Sequence, residues 1–303
     1  MNSTPSPPEQ RRAKGRRAVA TRLAGMILFG AALLLLVMGL TILRNEPAGS
    51  HALQGSTTQP SVASAIDSAV TGGFANTGGS ATTQVSVPRL SEYQQAKAAG
   101  GFLTGAAAVD QLQIYDRVPP GSKLTLTFPR KGTNQISSTF LIIGEEEDAQ
   151  GLTWYQIRLP IRPNGSTGWV RAADLTTATI VHQIRIHLSE HRLDLYESGR
   201  LKKSYPIGVG TGDTPTPLGE YYITVKLTPA NPNTVYGVLA MGLSGFSEKL
   251  TNWPEGGQLA IHGTNDPSSI GKDVSLGCIR LQNADILDLS PYVARGTPVV
   301  IQE

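Results

Sequence analysis

Cys278 is the only cysteine in 303 residues. An intramolecular disulfide is therefore excluded, as is a structural zinc site built on two or more cysteines. Charge is also scarce, at 16% of residues against an average of about 25%. Together with 33 glycines and 20 prolines, this argues against a helical bundle or coiled coil and for turn-rich β structure with linker. The net charge of +3 misleads. Residues 1–22 hold six of the 26 basic residues and one of the 23 acidic ones, leaving 20 basic against 22 acidic beyond them. That near-neutral remainder lacks the electrostatic footprint of a nucleic-acid partner. The length suggests about two folded domains.

Residues 23–43, LAGMILFGAALLLLVMGLTIL, carry no charge. They are long enough to cross a bilayer core of about 30 Å as a helix and longer than the apolar region of most cleaved signal peptides. Arg11, Arg12, Lys14, Arg16, Arg17 and Arg22 precede the run, and only Arg44 follows it closely. The positive-inside rule then predicts a cytoplasmic tail over 1–22, a retained anchor over 23–43 in the cytoplasmic membrane, and an exported remainder. Residues 44–100 read as a flexible linker, because Ser, Thr, Gly and Ala fill 31 of its 57 positions and too few large apolar side chains remain to offset ordering entropy. Within it, SEYQQAKAAG at 91–100 is compatible with one helical turn.

Two β-rich units are expected after the linker. In the first, 101–178, LQIYDRV, KLTLTF, STFLIIG and WYQIRL are strand-like, and Asn164-Gly165 marks a turn. The segment WYQIRL…NGSTGWVRAADL resembles the end of a bacterial SH3-like domain, with Trp154 and Trp169 as core or groove aromatics. In the second, 179–303, strands flank a hairpin turn at Glu197-Ser198-Gly199-Arg200. AIHGT reads as a strand ending at Gly263, and NADILDLSPYV as a helix with Asn283 as its N-cap type. The loop 228–258, with PANPNTVYG and Trp253, reads equally as a substrate lid or as a surface insertion.

The lone cysteine of an exported protein is an inert buried thiol, one half of an intermolecular disulfide, or a reactive thiol. Gly277 before Cys278 permits close approach of a substrate, and a cation two residues on, Arg280, favours the thiolate. A thiol nucleophile needs a base. Of five histidines, His51 lies in the linker, and His182, His187 and His191 read as surface residues. His262 closes an apolar strand and precedes a glycine, sixteen residues before Cys278. A Cys–His pair across a loop suits acyl transfer, and a satisfied core histidine is the competing reading.

With these residues in view, IHGTNDPSSIGKDVSLGCIRLQNAD resembles the signature of the L,D-transpeptidase (YkuD-type) catalytic domain, and YPIGVGTGDTPTPLGEYYI resembles its second hallmark, around the Pro-Thr-Pro-x-Gly turn. The resemblance implies a mainly β fold, in which a YkuD-type β-sandwich with a short helix follows an SH3-like β-barrel and one transmembrane helix. It implies a peptidoglycan L,D-transpeptidase that forms 3-3 type cross-links, or attaches amines to stem peptides, through a thioester on Cys278. His262 would be the base. Gly277, Arg280, Ser275, Gly263 and Thr264 would bind substrate or build the oxyanion site. Neither a metal nor another cofactor is implied. Leu276 departs from the pattern, standing where many members have a second histidine; leucine neither titrates nor hydrogen-bonds. The alternatives are an L,D-carboxypeptidase, a non-catalytic wall-binding protein and, more remotely, an exported cysteine protease.

Overall fold

The computed structural model describes residues 90–303 apart from Thr133, Asn134 and Trp253. The basic tail 1–22, the apolar run 23–43, the linker up to residue 89, and Trp253 of the loop 228–258 therefore lie outside the described residues. Among the described residues, no helix is long and apolar enough to cross a membrane.

The first element is a helix, α1 (Glu92–Ala98). The Ser91 hydroxyl accepts from the Gln94 N–H, and the Gln94 side chain accepts from the Ser91 N–H, both at 3.2 Å. This reciprocal pair satisfies two donors that a helix start otherwise leaves open. Ala96 is buried in the core of the first sheet. Residues 91–100, expected to be linker, thus begin the folded unit: one small buried side chain and a capping box suffice, and bulk composition reports neither.

Seven strands follow: β1 (Phe102–Ala107), β2 (Gln111–Tyr115), β3 (Leu124–Pro129), β4 (Thr139–Glu147), β5 (Thr153–Arg158), β6 (Thr167–Arg171) and β7 (Leu175–Ile180). They pair in the order β3-β2-β6-β5-β4-β1-β7. In β2, Leu112 and Ile114 are buried while Gln111 and Gln113 face out, the period-two pattern of a half-buried strand. Trp154 is a core residue whose indole N–H donates to Asp148 Oδ2 at 2.9 Å, whereas Trp169 is half-buried. β7 runs two residues past the expected boundary at 178, because it pairs with the whole of β1.

The rest of the chain builds a second sheet from β8 (His182–His187), β9 (Arg192–Glu197), β10 (Arg200–Pro206), β11 (Val209–Gly210), β12 (Gly219–Leu227), β13 (Ala240–Phe246), β14 (Gln258–His262), β15 (Asp273–Ser275), β16 (Ile279–Arg280) and β17 (Pro298–Gln302). Eight of these run in the order β10-β9-β8-β17-β12-β13-β14-β16, and β11 pairs separately with β15. Ser198 and Gly199 both take positive φ, 47° and 77°, as a two-residue hairpin turn between twisted strands requires. The second core holds Ile184, Leu195, Ile223, Leu243 and Ile261, closed by Ile286 and Leu289 of α2 (Asn283–Leu289). Fully burying each such side chain stabilises by about 1.5–3 kcal/mol. The loop 228–258 is not one excursion, since β13 crosses it as a central strand.

The two sheets keep separate cores within one compact unit over Ser91–Glu303. The connection between β5 and β6 grips the far end of the β13–β14 hairpin. The Asn164 amide donates to the Phe246 carbonyl at 2.8 Å and accepts from the Phe246 N–H at 2.9 Å. The Arg162 guanidinium donates to the carbonyls of Ser247 (2.7 Å) and Gly256 (2.6 Å) and lies 5.2 Å over the Phe246 ring. His262 sits at the other end of that hairpin.

Candidate active site

β14 is an apolar strand, and Leu259 and Ile261 anchor it in the second core. That leaves its last residue, His262, at the sheet's end. β16 pairs with β14 in parallel as the edge strand, with His262 opposite Arg280. In-register partners present their side chains on one face. Cys278 precedes β16 directly, and its thiol hydrogen-bonds the backbone of Ala260, two residues before His262. Residues sixteen apart in sequence thereby meet at one sheet edge.

His262 is 3% exposed. Its Nδ1 lies 2.6 Å from the Gly263 carbonyl. A carbonyl can only accept, so Nδ1 carries the proton and Nε2 is left as the basic nitrogen. The Tyr236 ring meets the imidazole edge-on, with centroids 5.1 Å apart. Burial lowers the His262 pKa to about 4; the Gly263 hydrogen bond opposes this, and the positive charge of Arg280 adds to it.

Cys278 is partly exposed, yet protein packed around its sulfur raises the thiol pKa above the ordinary value. The Ala260 backbone and the Arg280 charge act the other way. The turn carrying it is tightly braced. The Ser275 hydroxyl donates to the Cys278 carbonyl at 2.5 Å and accepts from the Gly277 N–H at 3.1 Å. Gly277 has φ +113°, a region L side chains rarely enter. Leu276 is 49% exposed on this turn.

The loop after His262 is shaped locally. Thr264 Oγ1 accepts from the Asp266 N–H at 3.0 Å, and the Gly263 N–H donates to the Leu239 carbonyl at 3.0 Å. Asn283 does not serve as the expected N-cap: Gln282 holds that place without a side-chain bond. Instead Asn283 Oδ1 accepts from the Val238 N–H at 3.2 Å and from the Thr264 N–H at 3.1 Å. It ties the segment bearing Tyr236 to the loop after His262. A Cβ at Gly237 or Gly263 would collide with that oxygen.

All seven residues singled out in the sequence lie on or beside this edge. His182, His187 and His191 do not; they pair with Glu197 (3.1 Å), Asp194 (3.2 Å) and Asp273 (2.8 Å) respectively. Tyr236, Asn283 and Thr216 were missed as site residues. The Pro-Thr-Pro motif around Thr216 carried a signal, as did the PANPNTVYG segment that holds Tyr236, read as a lid or an insertion. Among the described residues, no group of three or more His, Cys, Asp or Glu side chains could hold a metal ion.

The chain is similar to proteins of one family. Residues 182–301 match the family model of the YkuD L,D-transpeptidase catalytic domain. The YkuD protein of Bacillus licheniformis, which its name classes with the L,D-transpeptidases, is 45% identical over 123 residues, covering 41% of this chain and 67% of that protein. Its Bacillus subtilis counterpart is 39% identical over the same shares. The ErfK/SrfK protein of Escherichia coli, also named for this activity, is 36% identical over 211 residues, covering 62% of this chain and 67% of that protein. His262 and the braced Cys278 turn both lie within the matched residues, and the chain is an enzyme of the YkuD-type L,D-transpeptidase family.

Proposed function

We propose that this enzyme forms 3-3 type cross-links in peptidoglycan by carrying the acyl group of a tetrapeptide stem as a thioester on Cys278. The observation that carries the reading is the pairing of β14 with β16, which sets His262 and the Cys278 turn at one edge with Nε2 of His262 as a free base. His262 takes the thiol proton, and the sulfur attacks the carbonyl of the third stem residue. The resulting oxyanion is met by the backbone N–H of Cys278. Collapse breaks the peptide bond to D-alanine, whose nitrogen leaves with the proton held on His262. An acceptor amine then attacks the thioester, gives its proton to His262, and the thiol is restored. One peptide bond is broken and one made, so no nucleotide is consumed.

Arg280 is the proposed receptor for the carboxylate of the leaving residue. Its Nε is buried without a hydrogen-bond partner, and no ion pair within the described residues satisfies the guanidinium. A carboxylate matches that fork with two parallel bonds. It also lies only two bonds from the nitrogen that His262 protonates, which fits the pairing of His262 with Arg280.

The proposal includes a single-pass anchor over 23–43 with the N-terminus cytoplasmic, and a linker that gives the folded unit reach across an immobile polymer at high effective concentration. It also includes an SH3-like reading of the first sheet. The run β7-β1-β4-β5-β6, the hairpin β2–β3 between β1 and β4, and the 3-10 turn Ala172–Asp174 between β6 and β7 support it. The test is intact mass of the full-length chain with a tetrapeptide muropeptide, beside Cys278→Ala. An adduct lacking D-alanine on the wild type alone, followed by cross-linked dimer, is expected. Tripeptide product without dimer would replace transfer to an amine by transfer to water, the L,D-carboxypeptidase reading. Turnover by Cys278→Ala would overturn the thioester.

A further inference from the structure

Thr216 lies in the turn Thr214-Pro215-Thr216-Pro217-Leu218-Gly219, sixty-two residues before the cysteine. It is 3% exposed. Its hydroxyl makes two hydrogen bonds, and both directions are forced. The Gly210 N–H can only donate, so Oγ1 accepts from it at 2.9 Å. The Gly277 carbonyl can only accept, so the single hydroxyl proton goes there, also at 2.9 Å. Gly210 tolerates this approach because it has no Cβ; one would collide with the backbone of Thr214–Thr216.

The consequence falls on the next atom pair. The Gly277 carbonyl and the Cys278 N–H belong to one trans peptide, a rigid plane in which they point in opposite directions. Holding the carbonyl on Thr216 therefore aims the Cys278 N–H away from Thr216. No acceptor among the described residues takes that N–H. The neighbouring Gly277 N–H is already donated to Ser275 Oγ. The Cys278 N–H is thus left open on the turn, and it belongs to the residue that bears the thiol. A donor aimed before the charge appears is what an oxyanion requires.

We propose that Thr216 is the positioning residue that orients the Cys278 N–H toward the oxyanion of acyl transfer. This explains physically why the two sequence motifs occur together: one supplies the nucleophile, and the other locks the peptide that stabilises its intermediate. The inference rests on the acyl-enzyme reading of Cys278 given above.

The experiment separates chemistry that needs an oxyanion site from chemistry that does not. Alkylation of a thiol by iodoacetamide is a displacement at carbon with no oxyanion; acylation by a peptide passes through one. Full-length wild type, Thr216→Val, Thr216→Ala and Thr216→Ser are compared in single-turnover acylation by a tetrapeptide muropeptide, read by intact mass, and in alkylation at the same pH. Removing an oxyanion donor outright costs roughly 10²–10³ in rate, so misaiming one in Thr216→Val is expected to slow acylation about 10–100-fold. Alkylation should stay near the wild-type rate, because it reports the thiolate, and Thr216→Ser should restore most of the acylation. Thr216→Val or Thr216→Ala acylating at the wild-type rate would overturn the inference. So would a folded Thr216→Ser variant with acylation lost, or alkylation falling in step with acylation. If the valine variant does not fold, the alanine and serine variants decide. A wild type that alkylates but never acylates overturns the acyl-enzyme reading and this inference with it.

Discussion

The protonation state of the resting site can be tested by raising the pH. Burial pushes the Cys278 thiol above its ordinary value of 9.0, and the Ala260 backbone and Arg280 only partly offset this. Burial also pushes His262 down to about 4. Both shifts favour the neutral pair, so at pH 7 the resting site holds a thiol and a neutral imidazole rather than a thiolate and an imidazolium. A thiol with a pKa of 9 or above is about 1% thiolate or less at pH 7. Only the thiolate is alkylated. The rate of Cys278 labelling by iodoacetamide should therefore climb about tenfold per pH unit, or roughly 10³ between pH 5.5 and 8.5. No inflection is expected near 6.5, because the imidazole stays neutral throughout. Time courses of intact mass on the full-length protein measure this directly, with Cys278→Ala as the blank. A labelling rate that is flat from pH 5.5 to 8 would mean a preformed ion pair and would refute the reasoning from burial.

Three further outcomes follow from the same geometry. The unfolded chain protonates His262 near 6.5, whereas the folded site resists until about 4; stability is then full above 6.5 and falls by about 3 kcal/mol as the pH drops through that window. Denaturant midpoints at pH 7 and pH 4.5 should show a larger loss for wild type than for His262→Gln, and equal losses would count against it. Gly277→Ala forces a side chain into φ +113° with its Cβ 3.3 Å from Leu259; a cost of about 1–3 kcal/mol and loss of acylation are expected, and unchanged melting with full activity would contradict the strained turn. Asn164→Ala removes both hydrogen bonds to Phe246 and should cost about 1–2 kcal/mol in denaturant unfolding, while a change below the error of the measurement would show that this contact between the sheets is idle.

Much of the site was legible because its motifs are local. A strand end at Gly263, a glycine before the cysteine and an arginine two residues on are short-range features, and short-range backbone chemistry places each of them. The strands of both sheets were also largely readable from alternation and turn residues, including the two positive-φ positions at Ser198 and Gly199. Other features were not. Helix α1 was readable as one helical turn at 91–100 but not as part of the folded unit, since a single buried alanine leaves almost no periodic signal that the helix packs on the first sheet. β13 was lost within an apparent long loop because MGLSG packs on both sides without alternating. Asn283 carried an N-cap signal but is used across the site instead, because its oxygen finds two backbone donors from other segments.

The sequence by itself determined the chemistry available: one thiol, one histidine at a strand end, a cation beside the thiol, and the family these spell out. Periodicity and motif spacing act over a few residues, so they could name these groups but not their states. Only the tertiary structure decided that Nδ1 of His262 is spent on the Gly263 carbonyl, that burial keeps both partners neutral, and that Thr216 reaches sixty-one positions along the chain to hold the Gly277 carbonyl. Tautomer, desolvation and peptide orientation depend on which backbone groups come within about 3 Å, and that is settled by the pairing of distant strands.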